Sequence, residues 1–79
     1  MIKTLYGIEV DPSLIWDYRF GSDELMKEDV FVWYLSRVLN EGTYEHVKKI
    51  PKEIVRRYLP LLRLRPKVKH FWEWYLASN

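Results

Sequence analysis

One apolar run, Val30–Gly42, constrains what this chain can fold into more than any other stretch. It reads VFVWYLSRVLNEG, and on a helical wheel it is apolar on two sides. One side carries Phe31, Leu35, Val38 and Leu39, and another carries Met26, Val30, Trp33 and Tyr34. A helix that is apolar on two sides is usually surrounded by other helices, so the pattern predicts a central core helix. The alternative, which the pattern leaves open, is that the side centred on Trp33 binds a partner.

The length of 79 residues suits a single domain, residues 1–79, without a separate catalytic lobe. Four Trp, six Tyr and three Phe could build its core, but so many rings also favour a protein interface, including a homodimer. The absence of Cys excludes disulfides and thiolate metal sites, and two His alone cannot build a metal site. We expect no metal and no cofactor. No apolar stretch approaches the roughly 20 residues of a membrane span, and the N-terminus lacks a signal-peptide core. We therefore expect a cytoplasmic protein, and its charged composition without Gln is typical of a thermophile.

The N-terminal residues 1–13 are expected to form an extended arm ahead of a helical core of residues 14–76. Met1–Val10 alternates loosely between apolar and polar residues, which fits a strand or an arm. A lone strand has no partner in this chain, so an arm lying over the helices is preferred. Next, Trp16 is expected to insert into the core, with Asp17 as a local cap or ion-pair partner.

Capping signals place the central helix at about residues 23–40. Ser22 or Asp23 can serve as its N-cap, and acidic residues in a first turn suit the helix dipole. Gly42 is expected to end the helix in the left-handed conformation.

Further capping and proline signals predict three more helical segments, giving an all-α fold of three to four short helices. Thr43 can cap a short helix that ends near Lys49. Pro51 suits the first turn of the next helix, which Pro60 should end or kink. Pro66 begins the last helix, whose predicted inward stripe is Val68, Phe71, Trp72, Tyr75 and Leu76.

Charge is strongly segregated along the sequence. Residues 1–45 hold four basic and nine acidic side chains, whereas residues 46–70 hold nine basic and one acidic. The nine basic residues are Lys48, Lys49, Lys52, Arg56, Arg57, Arg63, Arg65, Lys67 and Lys69. They could form a solvated face that balances the acidic half, a contact for an acidic protein partner, or a contact for nucleic acid.

The middle of the chain, residues 44–59, resembles a short helix-turn-helix. Its outer face would carry basic side chains at a spacing that suits phosphate contact. The turn at Ile50-Pro51 lacks the customary glycine, and few Asn, Gln or Ser side chains are present to read bases. If DNA binds, non-specific contact with phosphates is therefore the expected mode.

Nothing in the sequence indicates catalysis. It contains no phosphate-binding glycine loop, no metal-ligand spacing and no nucleophile-elbow motif. Neither His46 nor His70 neighbours a serine in a known catalytic pattern. The carboxylates of Glu24, Glu28 and Asp29 are typical of a solvated helix start. We do not expect an enzyme.

Two tryptophans are candidates for an aromatic interface. Trp33 lies on the second apolar side of the central helix, and Trp74 lies off the stripe of the last helix, near Lys67 in helical register. For Trp74, packing under the N-terminal arm is preferred over exposure to a partner.

Several short motifs in order resemble a family of small uncharacterised bacterial domains. These are Leu14-Ile15-Trp16-Asp17, then Arg37-Val38-Leu39 with Gly42, then Leu64-Arg65-Pro66-Lys67 leading to Phe71-Trp72 and Tyr75. The resemblance covers about residues 14–76. At the matching positions Trp16, Arg37, Gly42 and Trp72 a structural role is expected, with Arg37 pairing with Asp17.

Members of that family are often encoded beside nucleotidyltransferases of the abortive-infection toxin type. The resemblance therefore implies a non-catalytic, antitoxin-like or accessory partner of such an enzyme. The alternative is a small DNA-binding regulator that uses the basic face of residues 48–69.

Overall fold

The computed structural model describes residues 3–15 and 21–78, with Ser22 described by its backbone alone. Five α-helices form most of this part of the chain: α1 Ser22–Leu25, α2 Glu28–Glu41, α3 Tyr44–Val47, α4 Lys52–Tyr58 and α5 Pro66–Ala77. Short 3₁₀ turns lie at Leu5–Gly7, Pro12–Leu14 and Leu59–Leu61. The predicted all-α class is confirmed. The predicted Trp16 anchor and Asp17 lie outside the described residues.

The helix predicted at residues 23–40 is divided into α1 and α2, which is why five helices form. Lys27 has extended backbone angles (φ −80°, ψ 143°) and occupies the N-cap position of α2. The break leaves Leu25 fully buried and Met26 51% exposed. Each helix begins with its own acidic pair, so the sequence carries two helix starts in succession.

As predicted, α2 is the central helix. Phe31 and Leu35 are fully buried, and Val38 is 1% exposed. The cluster around them also contains Ile8, Leu14, Tyr34, Leu39, Ile50, Val55, Tyr58, Leu62, Trp72 and Leu76. The core therefore takes residues from the N-terminal segment, from α2 and from α4 and α5.

Residues 3–15 form a folded loop, unlike the extended arm that the sequence predicted. Lys3 and Glu9 make an isolated antiparallel bridge, and the buried Thr4 donates its N–H to the carbonyl of Ile8 at 2.8 Å. The Asp11 N–H donates to the hydroxyl of Tyr34 on α2 at 3.1 Å. The loop is thus part of the core, because a domain this small needs apolar side chains from its loops as well as from its helices to cover a central helix.

The prolines act largely as predicted. Pro51 is the N-cap residue of α4, α4 ends at Tyr58 just before a 3₁₀ turn that contains Pro60, and Pro66 is the first residue of α5. These stops hold α4 to seven residues and set where α5 begins.

Gly42 ends α2, but the predicted left-handed conformation is wrong: its φ is −75° and its ψ is 161°. The need for a glycine at this position has a different reason. A Cβ atom at this position would lie 2.5 Å from the Val38 carbonyl oxygen and 3.1 Å from the Cβ of His46. Gly42 therefore permits a close approach between the end of α2 and α3.

Candidate partner-binding groove

An apolar groove lies between α3, the start of α4 and α5. It encloses about 710 Å³. We call it the aromatic groove, and its lining is Leu39, Tyr44, Val47, Lys48, Ile50, Lys52, Lys67, Val68, Phe71, Trp72 and Tyr75.

Local capping explains how the α3 wall is placed. The N–H of Thr43 donates to Nδ1 of His46 at 3.0 Å, which closes the first turn of α3 directly after Gly42. His46 Nε2 also pairs with the Asp11 carboxylate, so the N-terminal loop holds α3 in place. Because Nδ1 accepts a hydrogen bond, Nε2 carries the proton that it donates to Asp11. Both ring nitrogens are occupied, and this His positions a helix instead of presenting a base.

The Asp11 carboxylate is strongly stabilised in its ionised form. Its pKa is lowered from 3.8 to about 2, first by the backbone N–H of Ser13, then by the Ser13 hydroxyl and by His46. The Ser13 donors lie at 2.9 and 2.8 Å from the Asp11 Oδ1 atom. No local pattern indicates the pairing with His46, because 35 residues separate it from Asp11.

The α5 wall departs from the predicted inward stripe. Trp72 and Leu76 are buried as expected, but Phe71 is 49% exposed and lines the groove. Its ring stacks on Tyr75 with centroids 5.6 Å apart and an interplanar angle of 10°. The stripe is wider than the core that this small domain can place against it, so part of it stays uncovered.

Three lysines form the rim of the aromatic groove. The Lys52 Nζ atom lies 4.7 Å from the centroid of the Tyr75 ring, and Lys48 Nζ lies 5.8 Å from that of Tyr44. Lys67 stands on the α5 side. Lys48 also pairs with Glu45 at 2.8 Å, so one carboxylate offsets part of this positive charge.

The other basic residues predicted as contacts are all exposed, but they do not join this rim. Arg56 pairs with Glu53 at 2.6 Å and approaches the Leu76 carbonyl at 3.4 Å. Arg65 donates to the Asn40 carbonyl at 3.3 Å. Lys49 and Arg63 line two other clefts, and Arg57 and Lys69 line none of the three described. The fold therefore gathers three of the nine at one site.

The two candidate interface tryptophans differ. Trp74 is 62% exposed beside Phe71, so the prediction that the arm covers it is wrong. Trp33 is half-buried, with the Arg37 guanidinium 5.3 Å from its ring centroid. Arg37 also pairs with Glu41 at 3.5 Å, whereas its predicted pairing with Asp17 falls outside the described residues.

Sequence reasoning missed Tyr44, which is 76% exposed at the mouth of the groove. The available signal was its position directly after the Thr43 cap, because a tyrosine at the start of a short helix has little chain around it to bury it. Tyr44 stands alone and outside any apolar stripe, so the apolar pattern gives it no role.

Comparison with models of protein families, with curated proteins and with solved structures finds no match to this chain. Among the described residues, no helix has the length and apolar character needed to cross a membrane. In the same part of the chain, no three His, Cys, Asp or Glu side chains are grouped so as to hold a metal ion.

Proposed function

We propose that this protein is a non-catalytic interaction module, whose aromatic groove binds an acidic, apolar segment of a partner protein. The observation that carries the proposal is the rim of Lys48, Lys52 and Lys67 on the apolar aromatic groove. An amphipathic helix with apolar anchors and flanking carboxylates would satisfy both features of the groove. Burial of the apolar anchors would supply most of the affinity. The lysines would orient the bound segment and raise its rate of association.

The composition of the groove favours a peptide over nucleic-acid bases. Bases stack on open ring faces, but here Phe71 and Tyr75 stack on each other and Lys52 lies over the Tyr75 ring. The rest of the lining includes aliphatic side chains such as Val47 and Ile50, which suit an inserted apolar side chain.

A synthetic helical peptide provides the direct test. It would carry leucines at positions i, i+3 and i+7 and glutamates beside them, and calorimetry would measure its affinity. We expect Lys52→Glu to weaken binding by about tenfold, or about 1.4 kcal/mol. The substitution is compatible with the fold, because Lys52 is the first residue of α4, where the helix dipole favours a carboxylate.

Two controls make the test specific to the groove. Lys69→Glu changes the same charge on α5 outside the groove and should leave the affinity nearly unchanged. A peptide with lysines in place of its glutamates should bind much more weakly. Equal binding of the two peptides, or no binding of either, would contradict the proposal.

The partner that we propose to test first is a nucleotidyltransferase-like protein, as the resemblance carried by the motifs at residues 14–17, 37–42 and 64–75 implies. An antitoxin-like role would follow if the module restrained that enzyme. The test is coexpression with the protein encoded by the neighbouring reading frame. A neighbour without a nucleotidyltransferase pattern, together with no co-purifying enzyme of that type, would remove this choice of partner.

DNA binding is the second candidate, supported by the order α3, turn, α4 and by the exposed cations of residues 48–69. α4, however, has seven residues, or about two turns, and its Arg56 is paired. Titration of random duplex DNA at two salt concentrations would decide: phosphate contact requires a steep fall of affinity with salt. Absence of binding at low salt would exclude this candidate.

A further inference from the structure

A second cleft lies along α2, separate from the aromatic groove. It encloses about 580 Å³, and it is lined by Glu28, Asp29, Val32, Trp33, Ser36, Leu61 and Arg63. Its apolar lining is Val32, Trp33 and Leu61, of which Leu61 is 59% exposed and the other two are half-buried. We call it the α2 cleft.

Residues of opposite charge line the α2 cleft, with Asp29 near the start of α2 and Arg63 held beside Ser36. Asp29 lies in the first turn of α2, where its carboxylate accepts the N–H of Val30. The N–H of Arg63 donates to Ser36 Oγ at 3.0 Å. Ser36 is seven residues beyond Asp29, which places the two residues about 10 Å apart along the helix axis.

The charge of Arg63 is uncompensated within the part of the chain that the structure describes. The carboxylates paired there contact Arg37, Lys48 and Arg56 in ion pairs and His46 in a hydrogen bond, and the Arg63 guanidinium joins none of these pairs. Its carboxylate neighbours in the cleft, Glu28 and Asp29, are also exposed. An apolar surface with separated anionic and cationic residues is complementary to itself after rotation by 180°.

We propose that the α2 cleft is a homodimer interface, with two copies of α2 lying antiparallel about a two-fold axis. Rotation about an axis near Val32 and Trp33 places Arg63 of each copy against Asp29 of the other. An isologous interface requires this reciprocity of contacts, and it closes at two subunits. Leu61 and its apolar neighbours would form the dry centre and the charged pairs the rim. Burial of that centre would also stabilise a domain of 79 residues.

Reversal of either charge tests the interface, measured by analytical ultracentrifugation across the micromolar range. A single substitution acts twice in a two-fold dimer, converting two attractions into two repulsions. We expect Arg63→Glu and Asp29→Lys each to raise the dimer dissociation constant by about tenfold or more. Mixing the two variants should restore dimers. On one side of the two-fold axis the introduced lysine would face the introduced glutamate, and on the other side the native pair would form.

Arg57→Glu is the matched control, since it makes the same charge change on α4 outside the cleft. It should leave the dissociation constant unchanged. Four results would overturn the proposal: a monomeric wild-type protein at every concentration, assembly beyond two subunits, no effect of Arg63→Glu, or loss of the dimer on Trp74→Ala. The last would place self-association on α5. Because the proposal uses no residue of the aromatic groove, its failure and that of peptide binding are distinguishable.

Discussion

At the scale of single residues, Gly42 illustrates how a correct position can follow from an incorrect reason. The sequence indicates a helix end there, and α2 does end at Glu41. A glycine after a helix usually supplies a positive φ, yet here it supplies space beside the Val38 carbonyl and His46. Local sequence does not reveal such a contact, because it depends on the angle at which α3 leaves α2.

We predict that Gly42→Ala destabilises the protein by about 1–3 kcal/mol. The new methyl group would meet the Val38 carbonyl oxygen at 2.5 Å, and that atom is helix backbone and cannot move away cheaply. Urea unfolding measures the change. Gly21→Ala is the control, since a Cβ there meets only a Glu24 side-chain oxygen at 3.6 Å. Equal stability of the two variants would contradict the prediction.

The Asp11 carboxylate makes a second prediction at this scale, concerning acid. Its folded pKa of about 2 lies below its ordinary 3.8, so the folded state binds its proton at lower pH than the unfolded state does. This group therefore contributes stability above about pH 4, and the contribution is lost as the pH falls to about 2. Asp11→Asn should show a smaller loss of unfolding free energy over that range than the wild type does. If chemical denaturation showed the same loss of unfolding free energy with falling pH for both proteins, the attribution of this loss to Asp11 would be contradicted.

At the scale of elements, proline and capping signals predicted most of the fold. α3, α4 and α5 begin and end close to where Thr43, Pro51, Pro60 and Pro66 place them. The division of α1 from α2 was not predicted, because the apolar spacing runs through Leu25 and Met26 without interruption. The sequence singled out the three lysines of the aromatic groove as candidate contacts, but it did not indicate that they lie together, because their grouping depends on how α5 packs against α3.

The N-terminal loop provides the prediction at this scale. Ile8 is 7% exposed and belongs to the core cluster around α2, so Ile8→Ala should cost about 2–4 kcal/mol. A loose arm would lose almost nothing on this substitution. Lys3→Ala, on the same loop but exposed, is the control and should change the unfolding free energy by less than about 0.5 kcal/mol. Similar values for both variants would mean that the loop does not contribute to the core.

At the scale of the whole molecule, the acidic residues 1–45 and the basic residues 46–70 are largely separate in the sequence, and this separation needs an explanation. The acidic half could have been neutralised by the basic half. Among the described residues, however, the ion pairs Arg37–Glu41, Lys48–Glu45 and Arg56–Glu53 are local, three or four residues apart. In that part of the chain the one contact between a carboxylate and a basic residue that joins the two halves is the hydrogen bond from His46 Nε2 to Asp11. The fold therefore leaves most of the basic surface for solvent or for a partner.

This arrangement predicts that salt affects binding much more than it affects folding. Exposed local pairs contribute about 0–0.5 kcal/mol each, so the unfolding free energy in urea should change by less than about 1 kcal/mol when the salt concentration is raised. Urea is the required denaturant, because guanidinium is itself a salt. Over the same range the acidic helical peptide should lose affinity for the Lys48, Lys52 and Lys67 rim. The opposite result would be a fall of several kcal/mol in the unfolding free energy with no change in peptide affinity. It would mean that the cations stabilise the fold and do not attract the peptide, and a different ligand would have to be sought for the groove.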